Sequence, residues 1–300
     1  MKINKVFILG AGAIGSVIGA FLSKKTNVTL IGNKLHVEAI RAWGLQLTGD
    51  IDQSFSLTAE TGISRIPGNS LVIVTTKAYD TAHAITDIKD ILKDDSIVMV
   101  LQNGLGNETI VKAIVGEQIE VLRGITMMAS EFSSPGKIRF WRGKTIIEKG
   151  KASEVIELLF NNCGLETRVS DNIKQDVWSK LTLNCVIGPL TTLFQASNHK
   201  ITSENLQWIR HRIVKECLNV AIAEGVEMKI SLEEIDQKIR KYTNFSSMCQ
   251  DIRRRKRTEI DFLNGKIVEI GSKHRIPTPV NQTLTCLTKF LEETKVEIRR

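Results

Sequence analysis

The chain has 300 residues, 42% of them hydrophobic and 25% charged, which is the composition of a globular protein with apolar material for two domains. No uninterrupted apolar segment approaches the roughly 20 residues that a membrane-spanning helix needs. The five cysteines are scattered without a Cys-x-x-Cys pair, which excludes an obvious disulfide framework or zinc site and predicts a cytoplasmic protein with reduced thiols. The net charge of +8 suits a protein that handles anions.

The first predicted strand, residues 6–9, leads directly into glycines at the spacing Gly-x-Gly-x-x-Gly, and a helix is predicted over residues 16–22. The first glycine permits a tight turn, the second lets a pyrophosphate approach the backbone, and the third lets the helix lie close to the strand. A secretory signal is the competing interpretation, but no cleavage-site signature is present. The pattern therefore predicts a dinucleotide phosphate site formed by Gly10, Gly12, Ala13, Ile14 and Gly15.

The second predicted strand, residues 27–32, bears on the choice of cofactor. Rossmann folds that bind NAD carry an acidic residue about 20 residues beyond the glycines, where it binds the ribose 2′-hydroxyl. Here no acid occurs before Glu38, and Lys34, with Asn33 and His36, favours a 2′-phosphate instead. A polar loop with one solvated lysine is the alternative. The sequence therefore predicts NADP (as NADPH), with NADH as the other candidate.

Two further buried strands are predicted at residues 71–77 and 97–104, and they end in Lys77 and Asn103. Ligands of open parallel sheets bind beyond the carboxyl ends of the strands, so both side chains are expected beside the glycine loop. Polar capping of the two loops is the alternative. Residues 121–147 alternate between apolar and polar with turn signals, which predicts an antiparallel extension of the sheet.

From residue 171 onward the apolar residues recur at helical spacing with almost no strand signal. We therefore predict an α/β N-terminal Rossmann domain over residues 1–170, doubly wound with a mostly parallel sheet and an antiparallel extension. An all-α C-terminal domain over residues 171–300 follows it. In the first helix of that domain, Lys180 and Asn184 share one face, and Gly188 lies one turn further along. Solvent exposure explains these polar residues as readily as a ligand site does.

A run of five basic residues, 253–257, falls in a helix predicted from residue 246 to about 265. A nucleic-acid patch is one interpretation. No aromatic residues are interleaved and no DNA-binding motif accompanies the run, so we predict a partly solvated face and no nucleic-acid partner.

Six motifs follow one another along the chain: Gly10-x-Gly12-x-x-Gly15; Thr76-Lys77; Leu101-Gln102-Asn103-Gly104-Leu105-Gly106; Trp178-x-Lys180-Leu181-x-x-Asn184; Ser246-Ser247-Met248-x-Gln250-Asp251-Ile252; and Thr258-Glu259-Ile260-Asp261-x-x-Asn264-Gly265. With these motifs the chain resembles the ketopantoate reductase (2-dehydropantoate 2-reductase) family over nearly its whole length. The resemblance implies a Rossmann domain, a helical domain and an active site in the cleft between them. It also implies NADPH-dependent reduction of ketopantoate to (R)-pantoate on the route to pantothenate and coenzyme A.

The resemblance also implies roles for individual residues. Lys180 matches the family's catalytic lysine, and Glu259 matches its catalytic-site glutamate. Asn184 and Ser247, together with Asn103, match substrate-binding positions, with Asp251 supporting them. The implied cofactor-binding residues beyond the glycine loop are Asn33, Lys34, Lys77, Asn103 and Glu259. No metal is implied, and a homodimer is left as an alternative to a monomer.

Two departures from the family pattern leave alternatives open. Gly188 stands where the family usually has a second asparagine, which points to another branched or hydroxylated 2-oxo acid as the competing substrate. Asn33 stands where the family has an arginine that binds the 2′-phosphate, which keeps NADH open. A non-catalytic dinucleotide sensor is the third hypothesis, and the presence of Lys180 and Glu259 in their motifs argues against it.

Overall fold

The computed structural model describes residues 2–228 and 230–297, which form two compact units. The first unit extends to Gln102 and resumes over Gly106–Ile173, whereas the second comprises Asn103–Leu105 and the chain from Lys174 onward. Within the described ranges no helix has both the length and the apolar character needed to cross a membrane.

The first unit contains strands and helices in alternation. Its strands are β1 (Lys5–Leu9), β2 (Asn27–Ile31), β3 (Leu45–Gly49), β4 (Gln53–Phe55), β5 (Thr58–Glu60), β6 (Ser70–Val74), β7 (Ile97–Val100), β8 (Glu120–Thr126), β9 (Ala129–Ser134), β10 (Lys137–Trp141), β11 (Thr145–Ile147) and β12 (Thr167–Val169). Its helices are α1 (Ala13–Leu22), α2 (Lys34–Trp43), α3 (Thr81–Thr86), α4 (Asn107–Val115) and α5 (Ser153–Asn162).

The main sheet has the strand order β12-β11-β8-β7-β6-β1-β2-β5. All pairs from β8 to β5 are parallel, and β11 adds to β8 in antiparallel fashion. The predicted mostly parallel Rossmann sheet with an antiparallel extension is therefore confirmed. Because β1 pairs with β2 on one side and with β6 on the other, the strand order reverses at β1. In such sheets this reversal opens a ligand crevice at the carboxyl ends of the strands.

A second, four-stranded sheet has the order β4-β3-β10-β9. We predicted that the segment of β10 belongs to the extension of the main sheet, and this prediction was wrong. β10 instead pairs in parallel with β3, with Ile138 opposite Leu47. Helix α1 packs against this sheet, and the rings of Phe21 and Phe140 meet edge to face at 5.6 Å between centroids. The core of the first unit thus extends from the main sheet through α1 to the small sheet.

The described part of the second unit contains helices and short 3₁₀ turns and no strand. The helices are α6 (Ile173–Phe194), α7 (Gln207–Ala223), α8 (Leu232–Arg240), α9 (Ser247–Arg253), α10 (Asn264–Lys273) and α11 (Pro279–Glu297). The predicted all-α second domain is therefore confirmed. Helix α8 begins with a capping box, in which the Ser231 hydroxyl accepts from the Glu234 N–H while the Glu234 carboxylate accepts from the Ser231 N–H.

The helix that we predicted from residue 246 to about 265 is interrupted, so this prediction was wrong. Helix α9 ends at Arg253, and Arg255 adopts a left-handed conformation with φ of 56°. The Lys256 N–H then donates to the Asp251 carbonyl at 2.9 Å, which closes a Schellman cap. Glycine usually occupies the left-handed position of such a cap, so an arginine there gave no sequence signal for the helix end.

Candidate functional site

The turn after β1 is the first part of the site. Gly10 has φ of 104°, a conformation that L side chains rarely adopt. The N–H groups of Gly10 and Ala11 both donate to the Ile31 carbonyl at the end of β2, at 3.1 and 2.6 Å. A Cβ on Gly10 would lie 2.5 Å from the backbone nitrogen of Thr76, just beyond β6. The turn is therefore held between the ends of two neighbouring strands.

The other two glycines of the motif have different surroundings. A Cβ on Gly15 would lie 2.4 Å from the Thr75 hydroxyl oxygen, so this glycine lets α1 approach the end of β6. Gly12 is exposed, and a Cβ there would find only the Gly10 carbonyl oxygen, at 4.0 Å. The N–H groups of Ala13 and Ile14 lie in the first turn of α1, where N–H groups lack intrahelical acceptors. This open backbone beside unsatisfied donors fits a dinucleotide pyrophosphate.

Side chains beyond β6 and β7 brace the turn, and two of them, Thr75 and Gln102, were not predicted from the sequence to have a role. The Thr75 hydroxyl donates to the Gly10 carbonyl at 2.8 Å. The buried Gln102 amide donates to the carbonyl and hydroxyl oxygens of Thr76, each at 2.9 Å, and to the Thr81 hydroxyl at 2.7 Å. Lys77 directly follows this braced segment and is half-buried. In the sequence Gln102 stood out only as part of the motif of residues 101–106, which gave it no role of its own.

Asn33 and Lys34 lie at the start of α2, directly after β2. The Asn33 side chain caps the helix by accepting from the His36 N–H at 3.0 Å. Lys34 has a side chain that is 80% exposed, with its ammonium 3.9 Å from the Glu38 carboxylate. Such an exposed ion pair stabilises by about 0–1 kcal/mol, so it leaves the ammonium available to a ligand.

We expected His36 to contribute to phosphate binding beside Lys34, and that expectation was wrong. The side chain points into the core of the first unit instead. Its ring is buried, where Nδ1 accepts from the Gly136 N–H at 2.9 Å and Nε2 lies 2.9 Å from the Ser16 hydroxyl. Nδ1 therefore carries no proton, and Nε2–H donates to Ser16. Burial lowers the pKa of His36 to about 4, so the ring is neutral at physiological pH. Its role is to join α1, α2 and the turn before β10.

Helix α6 of the second unit carries Lys180 and Asn184, both partly buried and four residues apart. Gly188 continues the same face and is buried. A Cβ at Gly188 would lie 3.1 Å from the terminal methyl carbon of Met248, so α6 and α9 approach closely at this point. Ser247, the residue before Met248, is exposed in the first turn of α9, which the Ser246 side chain caps. The segments of Lys180, Asn184 and Ser247 thus pack together.

Two further segments join this group within the second unit. Glu259 is buried and precedes the 3₁₀ turn Ile260–Phe262, whose backbone is closed by a bond from the Phe262 N–H to the Glu259 carbonyl at 2.9 Å. A Cβ on Gly104 would lie 2.5 Å from the Phe262 carbonyl oxygen, so Asn103 and its neighbours pack on that turn. The structure therefore assigns Asn103, Lys180, Asn184, Ser247 and Glu259 to one unit.

The predicted cofactor residues divide between the two units. Asn103 and Glu259 belong to the second, and the others belong to the first, namely Gly10, Gly12, Ala13, Ile14, Gly15, Asn33, Lys34 and Lys77. Among the described residues no group of three or more His, Cys, Asp or Glu side chains could hold a metal ion.

The basic run is exposed, but only its first residue is helical. The Arg253 guanidinium stacks over the Phe245 ring at 3.6 Å and donates to the Gln195 carbonyl at 3.1 Å. Arg257 pairs with Asp261 at 3.3 Å. Contacts within the second unit therefore occupy part of the run.

Two family profiles match successive parts of the chain. The profile described as "Ketopantoate reductase PanE/ApbA" matches residues 6–154, and "Ketopantoate reductase PanE/ApbA C terminal" matches residues 172–292. A similar protein is the 2-dehydropantoate 2-reductase of Pyrococcus horikoshii, which is 38% identical over 301 residues, covering 96% of this chain and 97% of that protein.

Solved structures resemble the chain over nearly the same length. A PanE/ApbA family ketopantoate reductase from Ralstonia eutropha matches with a TM-score of 0.89 and 32% identity, covering 97% of this chain and 99% of that one. D-mandelate dehydrogenase, solved with NADH and anilino(oxo)acetate, matches with a TM-score of 0.88 and 27% identity over the same shares of the two chains.

Proposed function

Because the chain belongs to the ketopantoate reductase family, we propose that it catalyses the NADPH-dependent reduction of 2-dehydropantoate (ketopantoate) to (R)-pantoate. This reaction is a step of pantothenate and coenzyme A biosynthesis, and we assign it to the cytoplasm. The observation that carries the proposal is the packing of α6, with Lys180 and Asn184, against the segments that hold Ser247 and Glu259. The open backbone at Gly12 supports it from the cofactor side.

The residue types suit carbonyl reduction. A bound nicotinamide cofactor supplies a hydride to the C2 ketone of the substrate, and negative charge builds on the ketone oxygen. The Lys180 ammonium stabilises that charge and donates the proton that completes the alcohol. Glu259, a buried carboxylate of the same unit, balances the charge of the ammonium and holds the lysine in place. Asn184 hydrogen-bonds a substrate hydroxyl, while Ser247 and Asn103 hold the carboxylate.

Gly188 favours a second candidate substrate class. Its position offers no side chain for a substrate hydroxyl, and Met248 lies where a side chain would begin. The similarity to D-mandelate dehydrogenase, solved with anilino(oxo)acetate, adds a relative that binds an oxo acid with a bulky apolar group. The alternative function is therefore reduction of another branched 2-oxo acid by the same residues.

A substrate panel tests the proposal. We expect kcat/KM with NADPH to be at least about 10-fold higher for ketopantoate than for trimethylpyruvate, because the latter lacks the hydroxyl that Asn184 binds. Initial rates of NADPH oxidation would be compared for these two acids and for phenylglyoxylate. A higher value for either competitor would support the alternative substrate class. If no 2-oxo acid stimulates oxidation while NADPH still binds, the protein is a dinucleotide sensor.

We infer NADPH as the preferred cofactor from the start of α2. Lys34 occupies the first position of this ten-residue helix, where the N-terminal end of the helix dipole also favours an anion. No carboxylate precedes Glu38 in this segment. Lys34 therefore supplies the charge that binds the 2′-phosphate, with Asn33 beside it.

Lys34→Ala is expected to weaken NADPH binding about 5- to 10-fold, which corresponds to the roughly 1 kcal/mol of an exposed ion pair. NADH lacks the 2′-phosphate, so its dissociation constant should change less than about 2-fold. Fluorescence titration with each nucleotide measures both values. Glu38→Gln is the matched control, because it removes the acid paired with Lys34 and should leave NADPH binding equal or tighter. Similar weakening of both nucleotides by Lys34→Ala would refute the assignment.

A further inference from the structure

Helix α6 contains a proline at position 189, and this proline leaves one backbone carbonyl without its helical partner. In an α-helix the N–H of residue 189 would donate to the carbonyl of residue 185, but proline has no N–H. The Cys185 carbonyl is thereby deprived of its usual donor. Because Cys185 is buried, leaving this carbonyl unsatisfied would be costly.

The Asn264 side chain replaces the missing donor. Its Nδ2 donates to the Cys185 carbonyl oxygen at 3.0 Å and also to the Asn281 Oδ1 at 2.9 Å. Asn281 is itself oriented by Glu216, whose Oε2 accepts from the Asn281 side chain at 2.7 Å and from its backbone N–H at 2.9 Å. All three side chains are buried, so the amide of Asn264 is held in one orientation.

The Asn264 amide does more than satisfy one carbonyl. Its Oδ1 atom is buried and has no hydrogen-bond partner among the described residues. Its Nδ2 group serves two acceptors, the Cys185 carbonyl and the Asn281 side chain, and an apolar side chain of similar size would leave both without this donor. The amide therefore stabilises this buried site and also connects α6 to the start of α10.

That connection joins the two segments that carry the proposed catalytic pair. Cys185 follows Asn184 directly and lies just over one helical turn beyond Lys180. Asn264 is the first residue of α10, and the 3₁₀ turn Ile260–Phe262 links it to Glu259. The bond from Asn264 to Cys185 therefore fixes the segment of Glu259 on the helix of Lys180.

We propose that Asn264 is a positioning residue, which sets Glu259 against Lys180 through the carbonyl that Pro189 leaves unpaired. The inference rests on the proposed function. It predicts that the amide of Asn264 matters for turnover because it links the two segments, and not merely because it satisfies the Cys185 carbonyl. Restoring the backbone N–H at position 189 would satisfy that carbonyl within α6 but would not restore the link.

Asn264→Leu keeps the approximate shape and removes the donor. We expect kcat to fall about 10- to 100-fold, as displacement of a reacting group by about 1 Å can cause. The dissociation constant of NADPH should change less than about 3-fold, because most of the proposed cofactor contacts, namely the glycine turn, Lys34 and Lys77, belong to the other unit. In a Pro189→Ala background the same substitution should still lower kcat about 10-fold or more, because the link from position 264 to α6 is missing there too.

Asn198→Leu is the matched control. Asn198 is also buried in the second unit, and its Oδ1 has no partner in the part of the chain that the structure describes. Its amide donates to the Asn244 side chain at 3.3 Å and not to α6. Its substitution should lower Tm by a similar amount while kcat stays within 2-fold of wild type. Equal losses of kcat in the two leucine variants would overturn the inference.

The other possible outcomes also test the positioning role of Asn264. An unchanged kcat in Asn264→Leu, or a loss that disappears in the Pro189→Ala background, would contradict the positioning role while wild-type activity upholds the proposed function. A wild-type protein that turns over no 2-oxo acid would contradict both. If Asn264→Leu alone does not fold, the double variant decides. A kcat about 10-fold or more below that of Pro189→Ala supports the inference, whereas a kcat within about 3-fold of Pro189→Ala, or failure to fold, overturns it.

Discussion

Replacing Lys180 with alanine is expected to lower kcat by about 10³-fold, because the variant loses both the ammonium that stabilises the developing oxyanion and the proton donor. The dissociation constant of NADPH should change less than 2-fold, because the glycine turn, Lys34 and Lys77 all lie in the first unit. Stopped-flow measurement of NADPH oxidation with saturating 2-oxo acid, combined with fluorescence titration of NADPH, separates the two effects.

Lys174 provides the matched control for this experiment. It lies on the same helix, is exposed, and its ammonium is 3.5 Å from the Glu224 carbonyl oxygen. Lys174→Ala should leave kcat within 2-fold of wild type. Lys180→Arg keeps a cation but changes its shape and acidity, so it should recover only a small part of the lost rate. A loss of NADPH affinity equal to the loss of kcat would mean that Lys180 is a cofactor ligand and not the proton donor.

Substitution of two neighbouring glycines by alanine is expected to give opposite results. Gly12→Ala should leave Tm within about 2 °C of wild type, because the backbone φ of −78° suits alanine and a Cβ would meet no atom closer than 4.0 Å. The new methyl group would occupy the space that we propose for the pyrophosphate. Such a steric conflict costs about 1–3 kcal/mol, which corresponds to roughly 5- to 150-fold weaker binding of NADPH.

Gly10→Ala should instead destabilise the first unit by about 2–6 kcal/mol, because a positive φ is combined with a contact of 2.5 Å to the Thr76 nitrogen. Thermal unfolding and fluorescence titration of both variants test the pair of predictions. Unaltered NADPH affinity in Gly12→Ala would show that the open backbone at this position is not the phosphate site.

Local patterns in the sequence were sufficient to predict most elements of the fold. The apolar runs of β1, β6 and β7 are buried on both faces of the sheet, so their residues read as strands without alternation. The spacing of the glycine motif likewise predicted the turn after β1, although the atoms closest to a Cβ at Gly10 and Gly15 belong to Thr76 and Thr75 at the end of β6. The polar residues at the ends of β6 and β7 followed from the rule for parallel sheets.

What the sequence did not predict depends on partners distant in the chain. His36 bonds to residues 20 and 100 positions away, so a polar residue beside Lys34 was indistinguishable from a phosphate ligand. β10 likewise pairs with β3, a strand that lies far earlier in the chain. The alternation of apolar and polar residues within a strand does not specify which other strand will pair with it. The role of Asn264 likewise required the position of Cys185, 79 residues earlier.

The three residues Asn103–Leu105 have a consequence for how the protein can be divided. They lie in the first half of the sequence but belong to the second unit, where Gly104 packs on Phe262. A cut after residue 173 would therefore separate this loop from its packing partner, so neither fragment would be a complete module. Chimeras that exchange the helical units of two relatives should therefore take residues 103–105 from the same parent as the helices. This loop belongs to the unit that carries the proposed substrate residues and not to the unit of the glycine turn.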